Sequence, residues 1–396
     1  MLKGQQYRIY PTKEQEELFA KHFGCARYVY NWVLSQRKAH YEKTKKTLPK
    51  KELQNKLVHE EKKDKPWLEE VNSQSLLASM FHALDAYKRF FSGKAEFPRF
   101  KSKKNHEQKY QCPQHVKVYF DNDCVYIPKV GFVKAKLHRK IDGQVKTCTI
   151  TKKPDGTYLI SVLFDTHEYL PQTAPIEEVS TMGVDVGIKH FATLSTGEKR
   201  ENPRFLDKSL PKVRQLNKQL SRKKKGSKNR EKCRHKLAIK HDDVVKQREF
   251  FLHREANRLL GDNQTVTVAL EDLNIQGMIK NRRLSRHIAD VAWGEYDRIL
   301  NYKAKWQGKN IIYCPRFAPS SKQCVCGYKN ANLTLSDRVW ICPECNRVHD
   351  RDLLGANNVK YFALVEAVGL TACVKPFPHN NTCQRKCYDE RSSYVN

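Results

Sequence analysis

Residues 182–194 read MGVDVGIKHFATL, an apolar run with a single acidic residue, Asp185. The run predicts two strands joined by a tight turn, and Asp185 lies in the first of them. The alternation of apolar residues at 266–270 predicts another strand, which ends in Glu271. Asp352 falls on the apolar face of a predicted helix. The sequence therefore places three carboxylates at strand ends or on an apolar helix face.

These three carboxylates predict a metal-dependent nuclease. Each one alone has an ordinary explanation as a cap, a turn residue or half of a salt bridge. Burying like charges together is costly, however, unless cations neutralise them. Carboxylate ligands without a histidine cage favour Mg²⁺ or Mn²⁺, and two such ions can clamp the attacking and leaving oxygens of a phosphodiester. We interpret Asp185, Glu271 and Asp352 as catalytic residues that bind magnesium.

The net charge indicates a polyanionic partner. The 396 residues include 74 Lys and Arg against 43 Asp and Glu, a formal charge of +31. An excess of that size repels itself in a compact chain, and nucleic acid is favoured over a membrane surface because the basic residues are spread through segments that look folded. No apolar stretch reaches the roughly 18 residues of a membrane helix and no signal-peptide core follows Met1, so we expect a cytoplasmic protein.

The densest basic segment is a predicted helical hairpin at 208–240. It holds fourteen Lys and Arg residues and one acid, Glu231. Such a run is often a solvated face or a tail, but regularly spaced leucines and valines indicate packed helices here. We therefore expect phosphates nearby and predict that the following residues bind nucleic acid: Arg222, Lys223, Lys224 and Lys225.

Four of the thirteen cysteines fall in one window, and the others are scattered. Cys324 and Cys326 form a Cys-x-Cys pair, and Cys342 and Cys345 form a Cys-x-x-Cys pair fifteen residues later. Two thiolate knuckles on a short hairpin suit tetrahedral Zn²⁺. The tight first knuckle leaves Cys314 or His349 open as a substitute ligand.

The N-terminal half changes from helical to strand periodicity. Residues 4–10 predict a strand, and Thr12 with Gln15 predicts a capping box that starts a helix to Tyr41. A second helix is predicted at about 72–91. Five strands are then predicted between Val116 and Phe164. We expect a small β-barrel with the helices inserted into it.

Several motifs of this chain resemble those of the TnpB family, the OrfB-type insertion-sequence proteins related to type V CRISPR effectors. Four occur in the family's order: GVDVGIK at 183–189, EDLN at 271–274, SSKQC at 320–324 and HDRD at 349–352. Three more add to the resemblance: YRIYP at 7–11, GCARYVYN at 24–31 and IADVAWG at 288–294. The resemblance extends from about residue 5 to about residue 365.

This resemblance implies an α+β multidomain fold in which a wedge-like β-barrel precedes an RNase H-like (RuvC-type) α/β nuclease domain with an inserted zinc ribbon. The expected domains are a barrel at 1–11 and 106–170, a helical recognition insert at 12–105, a nuclease domain at 179–316 and 350–370, a zinc ribbon at 317–349 and a flexible tail at 371–396. By the same resemblance Asp185, Glu271 and Asp352 match the family's catalytic carboxylates.

The activity implied is that of a transposon-associated endonuclease. A guide RNA from the transposon end would direct cleavage of target DNA beside a short target-adjacent motif, with Mg²⁺ or Mn²⁺ at the nuclease site and Zn²⁺ in the ribbon. Three alternatives stay open: a nuclease-inactive, guide-directed DNA-binding regulator, a transposase that joins DNA ends, and a zinc-ribbon RNA-binding protein. A zinc-ribbon RNA-binding protein would not explain the three acidic residues. Protein partners are not indicated.

Overall fold

A computed structural model describes residues 1–104, 107–334 and 336–369. The chain divides into two units, the first formed by 1–169 and 215–242 and the second by 170–214 and the residues from 243 onward. The predicted tail at 371–396 lies outside the described residues.

The first unit is built on an antiparallel sheet of seven strands. Their bounds are β1 Leu2–Tyr10, β2 Gln108–Cys112, β3 Lys117–Tyr119, β4 Cys124–Ile127, β5 Gly131–Lys136, β6 Gln144–Lys152 and β7 Tyr158–Asp165. The spatial order is β2-β6-β7-β1-β5-β4-β3. Strand β2 was not predicted, because its sequence QKYQC contains only two apolar residues, Tyr110 and Cys112, which are too few to establish a period.

Helices follow β1 in the chain and precede β2. They are α1 Lys13–Thr44, α2 Lys50–Asn55, a π-helical turn Lys56–Glu61, α3 Lys62–Asp64, a 3₁₀ turn Pro66–Leu68 and α4 Ser73–Phe91. The predicted capping box is confirmed, because Thr12 and Gln15 cap α1 reciprocally. The first turns of α1 bury Phe19 and Phe23 against the sheet, whereas its later turns pack with α4 in a second core.

The predicted closure into a barrel is not found. Strands β2 and β3 form the two edges of the sheet, and no pairing joins them within the described residues. Strand β3 has only three residues and pairs with β4 alone. The sheet is therefore open.

The second unit contains a mixed five-stranded sheet in the order β10-β9-β8-β11-β12. These strands are β8 Thr181–Val186, β9 His190–Leu194, β10 Lys199–Glu201, β11 Thr267–Glu271 and β12 Asn310–Cys314. Strands β8 to β10 form an antiparallel meander, whereas β11 runs parallel to both β8 and β12.

The remaining elements are α5 Phe205–Ser221, α6 Lys228–Leu260, α7 Ile275–Ile279, α8 Ser285–Val291, α9 Trp293–Gln307, β13 Val339–Ile341, β14 Val348–Asp350 and α10 Arg351–Val368. Helices α5 and α6 are the two arms of the predicted basic hairpin. No helix in the described parts of the chain is long and apolar enough to cross a membrane.

Helix α10 packs on one face of the mixed sheet, where it shares a core with Ala269 and Ile312. Gly183 makes this packing possible, because a Cβ at that position would overlap the carbonyl oxygen of Ala356 in α10. Val268 and Leu270 alternate with Ala269 and pack in the core on the opposite face. Residues that lie two positions from Ala269 along β11 therefore also project toward α10.

Candidate functional site

Asp185 and Glu271 lie side by side on neighbouring parallel strands. Ala269 of β11 pairs with Gly183 of β8, and each carboxylate follows its strand's paired residue by two positions. Because side chains alternate across a strand, both carboxylates project to the face covered by α10. Two carboxylates that lie far apart in the sequence thus come together at the carboxyl ends of two neighbouring strands.

Asp352 reaches the same region from the first turn of α10. Asp350 caps this helix by accepting hydrogen bonds from the backbone N–H groups of Asp352 and Leu353, at 3.0 and 3.1 Å. Lys199 Nζ contacts the capping carboxylate at 2.7 Å. Gly355 leaves room for Asp185, since a Cβ there would lie 3.1 Å from Asp185 Oδ2.

Sequence reasoning missed two residues that position Glu271. Ser320 Oγ donates to Glu271 Oε1 at 3.0 Å. Buried Asn358, on α10, donates from Nδ2 to the carbonyl oxygens of Ser320 and Gln323, at 2.6 and 2.7 Å. The motif at 320–324 was the available signal, but the sequence could not show what its first serine contacts.

Two carboxylates of the site have raised pKa values. Desolvation by burial raises the pKa of Asp185 well above its ordinary range, and the neighbouring Glu271 and Asp352 charges raise it further. Burial also raises the pKa of Glu271, although the Ser320 hydrogen bond acts in the opposite direction. Such carboxylates gain most from a cation that neutralises them.

The three carboxylates do not form a closed metal cage. Within the described residues, the side chains grouped closely enough to hold a metal ion are the four cysteines Cys324, Cys326, Cys342 and Cys345, whose ligand atoms all lie within 4.8 Å of one another. Asp352 Oδ1 accepts instead from Arg338 Nη1 at 3.3 Å. The three side chains nevertheless fit a hard divalent cation, because they offer several carboxylate oxygens near the carboxyl ends of β8 and β11 and no thiolate or imidazole.

The predicted zinc ligands Cys324, Cys326, Cys342 and Cys345 come together. The Sγ atoms of Cys324 and Cys345 are 3.5 Å apart, and those of Cys326 and Cys342 are 3.6 Å apart. Thiolates that hold Zn²⁺ at about 2.3 Å in a tetrahedron lie about 3.8 Å apart. Desolvation raises the pKa of the Cys342 thiol, but hydrogen bonds from the Cys345 and Glu344 backbone N–H groups, together with contacts with Cys326 and Cys324, lower the pKa to about 7.

The two substitute zinc ligands differ in position. Cys314 is not part of the cluster, because it ends β12 and pairs with Glu271 of β11. His349 contacts the cluster, since its Nε2 lies 3.0 Å from the Sγ of Cys324. His349 also packs against Trp340, with 4.7 Å between ring centroids. It therefore supports the cysteines from strand β14.

The predicted nucleic-acid-binding residues Arg222–Lys225 form the turn between α5 and α6. Arg222, Lys224 and Lys225 are exposed, and none of the four pairs with a carboxylate within the described residues. Arg230 has a different role, because its Nη1 donates to the carbonyl oxygens of Leu220 and Lys223 and closes the turn. The turn is thus a structured loop whose four cations have no carboxylate partner among the described residues.

Comparison with known families assigns three parts of the chain. Residues 161–282 match a family described as "Probable transposase", residues 1–46 match a "Helix-turn-helix domain", and residues 293–359 match a "Cas12f1-like, TNB domain". In this structure, residues 1–46 consist of strand β1 and the long helix α1 rather than two short helices.

Two relatives carry the name "Putative RNA-guided DNA endonuclease". One, from Streptomyces pristinaespiralis, is 32% identical over 93% of this chain and 90% of its own length. The other, InsQ from Escherichia coli K12, is 28% identical over 90% of this chain and 91% of its own length. The chain therefore spans nearly all of both relatives.

A solved structure with a similar fold is the Cas12f1 chain in a cryo-EM complex with sgRNA and target DNA. It has a TM-score of 0.52 and 14% sequence identity, and the match covers 91% of this chain and 98% of that one. This likeness confirms the α+β class for the chain as a whole.

Proposed function

Because the chain belongs to the TnpB (OrfB-type) family, we propose that it is an RNA-guided DNA endonuclease that hydrolyses target DNA at the site of Asp185, Glu271 and Asp352. A guide RNA from the transposon end would select the target, and the protein would inspect a short adjacent motif in the duplex. The observation that carries the proposal is the side-by-side placement of Asp185 and Glu271 under the first turns of α10.

The residues of the site divide the work. Asp185 and Glu271 offer the central carboxylates, and Asp352 completes the set from the helix terminus. Ser320 fixes one oxygen of Glu271 and leaves the other for a ligand. A pair of Mg²⁺ ions, when bound, would activate water and stabilise the charge on the phosphodiester oxygens. Asp352 would exchange its 3.3 Å contact with the half-exposed Arg338 for such a cation.

The test separates cleavage from nucleic-acid binding. Asp185→Ala, Glu271→Ala and Asp352→Ala should each abolish cutting of a guide-matched plasmid in Mg²⁺, while RNA binding survives. Glu201→Ala is the matched control, because this carboxylate belongs to the same unit and is 80% exposed.

Three results would contradict the proposal. A variant of the trio that cuts at the wild-type rate removes that residue from the site. A wild-type protein that binds matched DNA without cutting is a regulator. Joined DNA ends formed without a guide RNA would identify a transposase.

A further inference from the structure

The first unit contains an open cleft of about 710 Å³ between α1, α4 and β2. Four cations and one carboxylate line it: Arg27, Lys101, Lys104, Lys109 and Glu107. His82, Gln111 and Thr149 add hydrogen-bonding groups. We call this site the Lys101 cleft. It is distinct from the acidic site and the zinc cluster, which belong to the second unit.

Lys101 is held in place by two residues of α1. The Asn31 side chain accepts from the Lys101 backbone N–H at 2.7 Å and donates to its carbonyl oxygen at 2.9 Å. The Lys101 ammonium lies 3.9 Å from the centre of the Tyr30 ring. Two motifs seventy residues apart, GCARYVYN and the lysine-rich segment after Phe97, thus meet to fix one cation.

The charge in this cleft is poorly compensated. No carboxylate lies within 4.0 Å of Arg27, Lys101 or Lys104 in the part of the chain that the structure describes, and Glu107 contacts only Lys109, at 3.8 Å between exposed groups. Desolvation, followed by the neighbouring Lys109 charge, lowers the pKa of Lys101. Cations therefore lie together in this cleft without a compensating carboxylate, an arrangement that a bound anion would stabilise.

We propose that the Lys101 cleft binds one nucleotide of a nucleic-acid strand, with its phosphate on Lys101. The cleft is larger than a phosphate ion needs and falls in the range of sites for organic ligands. Gln111 and Thr149 supply the polar groups that a sugar or base edge requires. The choice of a nucleic-acid strand rests on the proposed function.

The test uses the full chain, freed of copurifying nucleic acid, and a labelled single-stranded RNA of mixed sequence. Lys101→Met and Asn31→Ala should each raise the Kd about tenfold, the scale of one lost charge-assisted hydrogen bond. Lys101→Met should also reduce the salt slope by about 0.7. Lys103→Met is the matched control, because Lys103 is an exposed lysine of the same segment, as Lys101 is, but does not line the cleft.

Asn31→Ala is the decisive variant because it leaves the net charge unchanged. Affinities of Lys101→Met and Asn31→Ala that equal that of Lys103→Met overturn the inference. If melting shows that Asn31→Ala is misfolded, Lys101→Met against Lys103→Met decides alone. Binding of adenosine monophosphate is measured on the same variants. If they lose adenosine monophosphate binding but keep RNA binding, the cleft is a site for free nucleotides, and this result also overturns the inference. A wild-type protein that binds no RNA contradicts the proposed function itself.

Discussion

Gly183 and Gly355 set how closely helix α10 approaches strand β8. A Cβ at Gly183 would overlap backbone in α10, which cannot yield locally. A Cβ at Gly355 would instead press on the Asp185 side chain, at 3.1 Å from Oδ2. The first glycine therefore protects the fold, whereas the second protects the position of a carboxylate.

This difference predicts that two alanine variants affect different properties, one the stability and the other the cleavage rate. Gly183→Ala should lower the free energy of unfolding by about 1–3 kcal/mol, as overpacking does. Gly355→Ala should keep most of the stability but reduce cleavage about 10- to 100-fold, because a small displacement of a reacting group is costly. Melting temperature and plasmid cleavage measured on both variants test this. Normal cleavage by Gly355→Ala would contradict the assigned position of Asp185.

Asp185 should also destabilise the protein when magnesium is absent. Its pKa is raised in the folded state, first by burial, so the folded chain binds the proton more tightly than the unfolded chain. Stability is then lost as the pH rises above the ordinary value of 3.8. Asp185→Asn should melt at or above the wild-type temperature in magnesium-free buffer at neutral pH, and only the wild type should gain stability from Mg²⁺. A lower melting temperature for Asp185→Asn would refute this.

At the scale of elements, the cysteine cluster and its small core join the hairpin β13–β14 to helix α10. The buried residues of this region are few, and they include Trp340, Cys342 and Leu354 of α10. Since so small a core supplies little folding energy, metal binding should supply much of it. Strand β14 leads directly into the cap of α10, so disorder in the hairpin would reach Asp352.

Cys342→Ser should therefore lose zinc and lower cleavage together. Cys314→Ser is the matched control for zinc content, because Cys314 lies opposite Glu271 and outside the cluster. Elemental analysis of protein never exposed to chelator measures the outcome. Well under one zinc per wild-type chain, or loss of zinc from Cys314→Ser, would contradict the assignment.

The turn between α5 and α6 should act as a phosphate-binding surface. Replacing Arg222, Lys223, Lys224 and Lys225 together should weaken duplex binding for all sequences and reduce the salt slope by up to about 3.6, or about 0.9 per cation. Arg230 must be kept, because it closes the turn. Binding titrations at several salt concentrations measure the slope, and an unchanged slope would make these residues an ordinary solvated face.

At the scale of the whole molecule, local sequence patterns predicted individual helices and strands. They did not predict which distant segments pair or contact one another. The strands, the capped start of α1 and the cysteine cluster each depend on residues close in sequence. The open edges β2 and β3, the contact of Ser320 with Glu271 and the clamp of Asn31 on Lys101 depend on tertiary packing. Asp185 and Glu271 could be picked out as candidates because they interrupt or end apolar strands, and Asp352 because it falls on an apolar helix face.

The net charge of +31 gives a prediction for the entire chain. Without nucleic acid, the cations repel one another, so added salt should screen the repulsion and raise the melting temperature. With guide RNA bound, the same salt weakens phosphate contacts, and the stabilisation by bound ligand falls with affinity. Melting curves of the free and RNA-bound protein across a salt series should therefore shift in opposite directions. A free protein that loses stability as salt is added would show that its cations are already neutralised by partners within the chain.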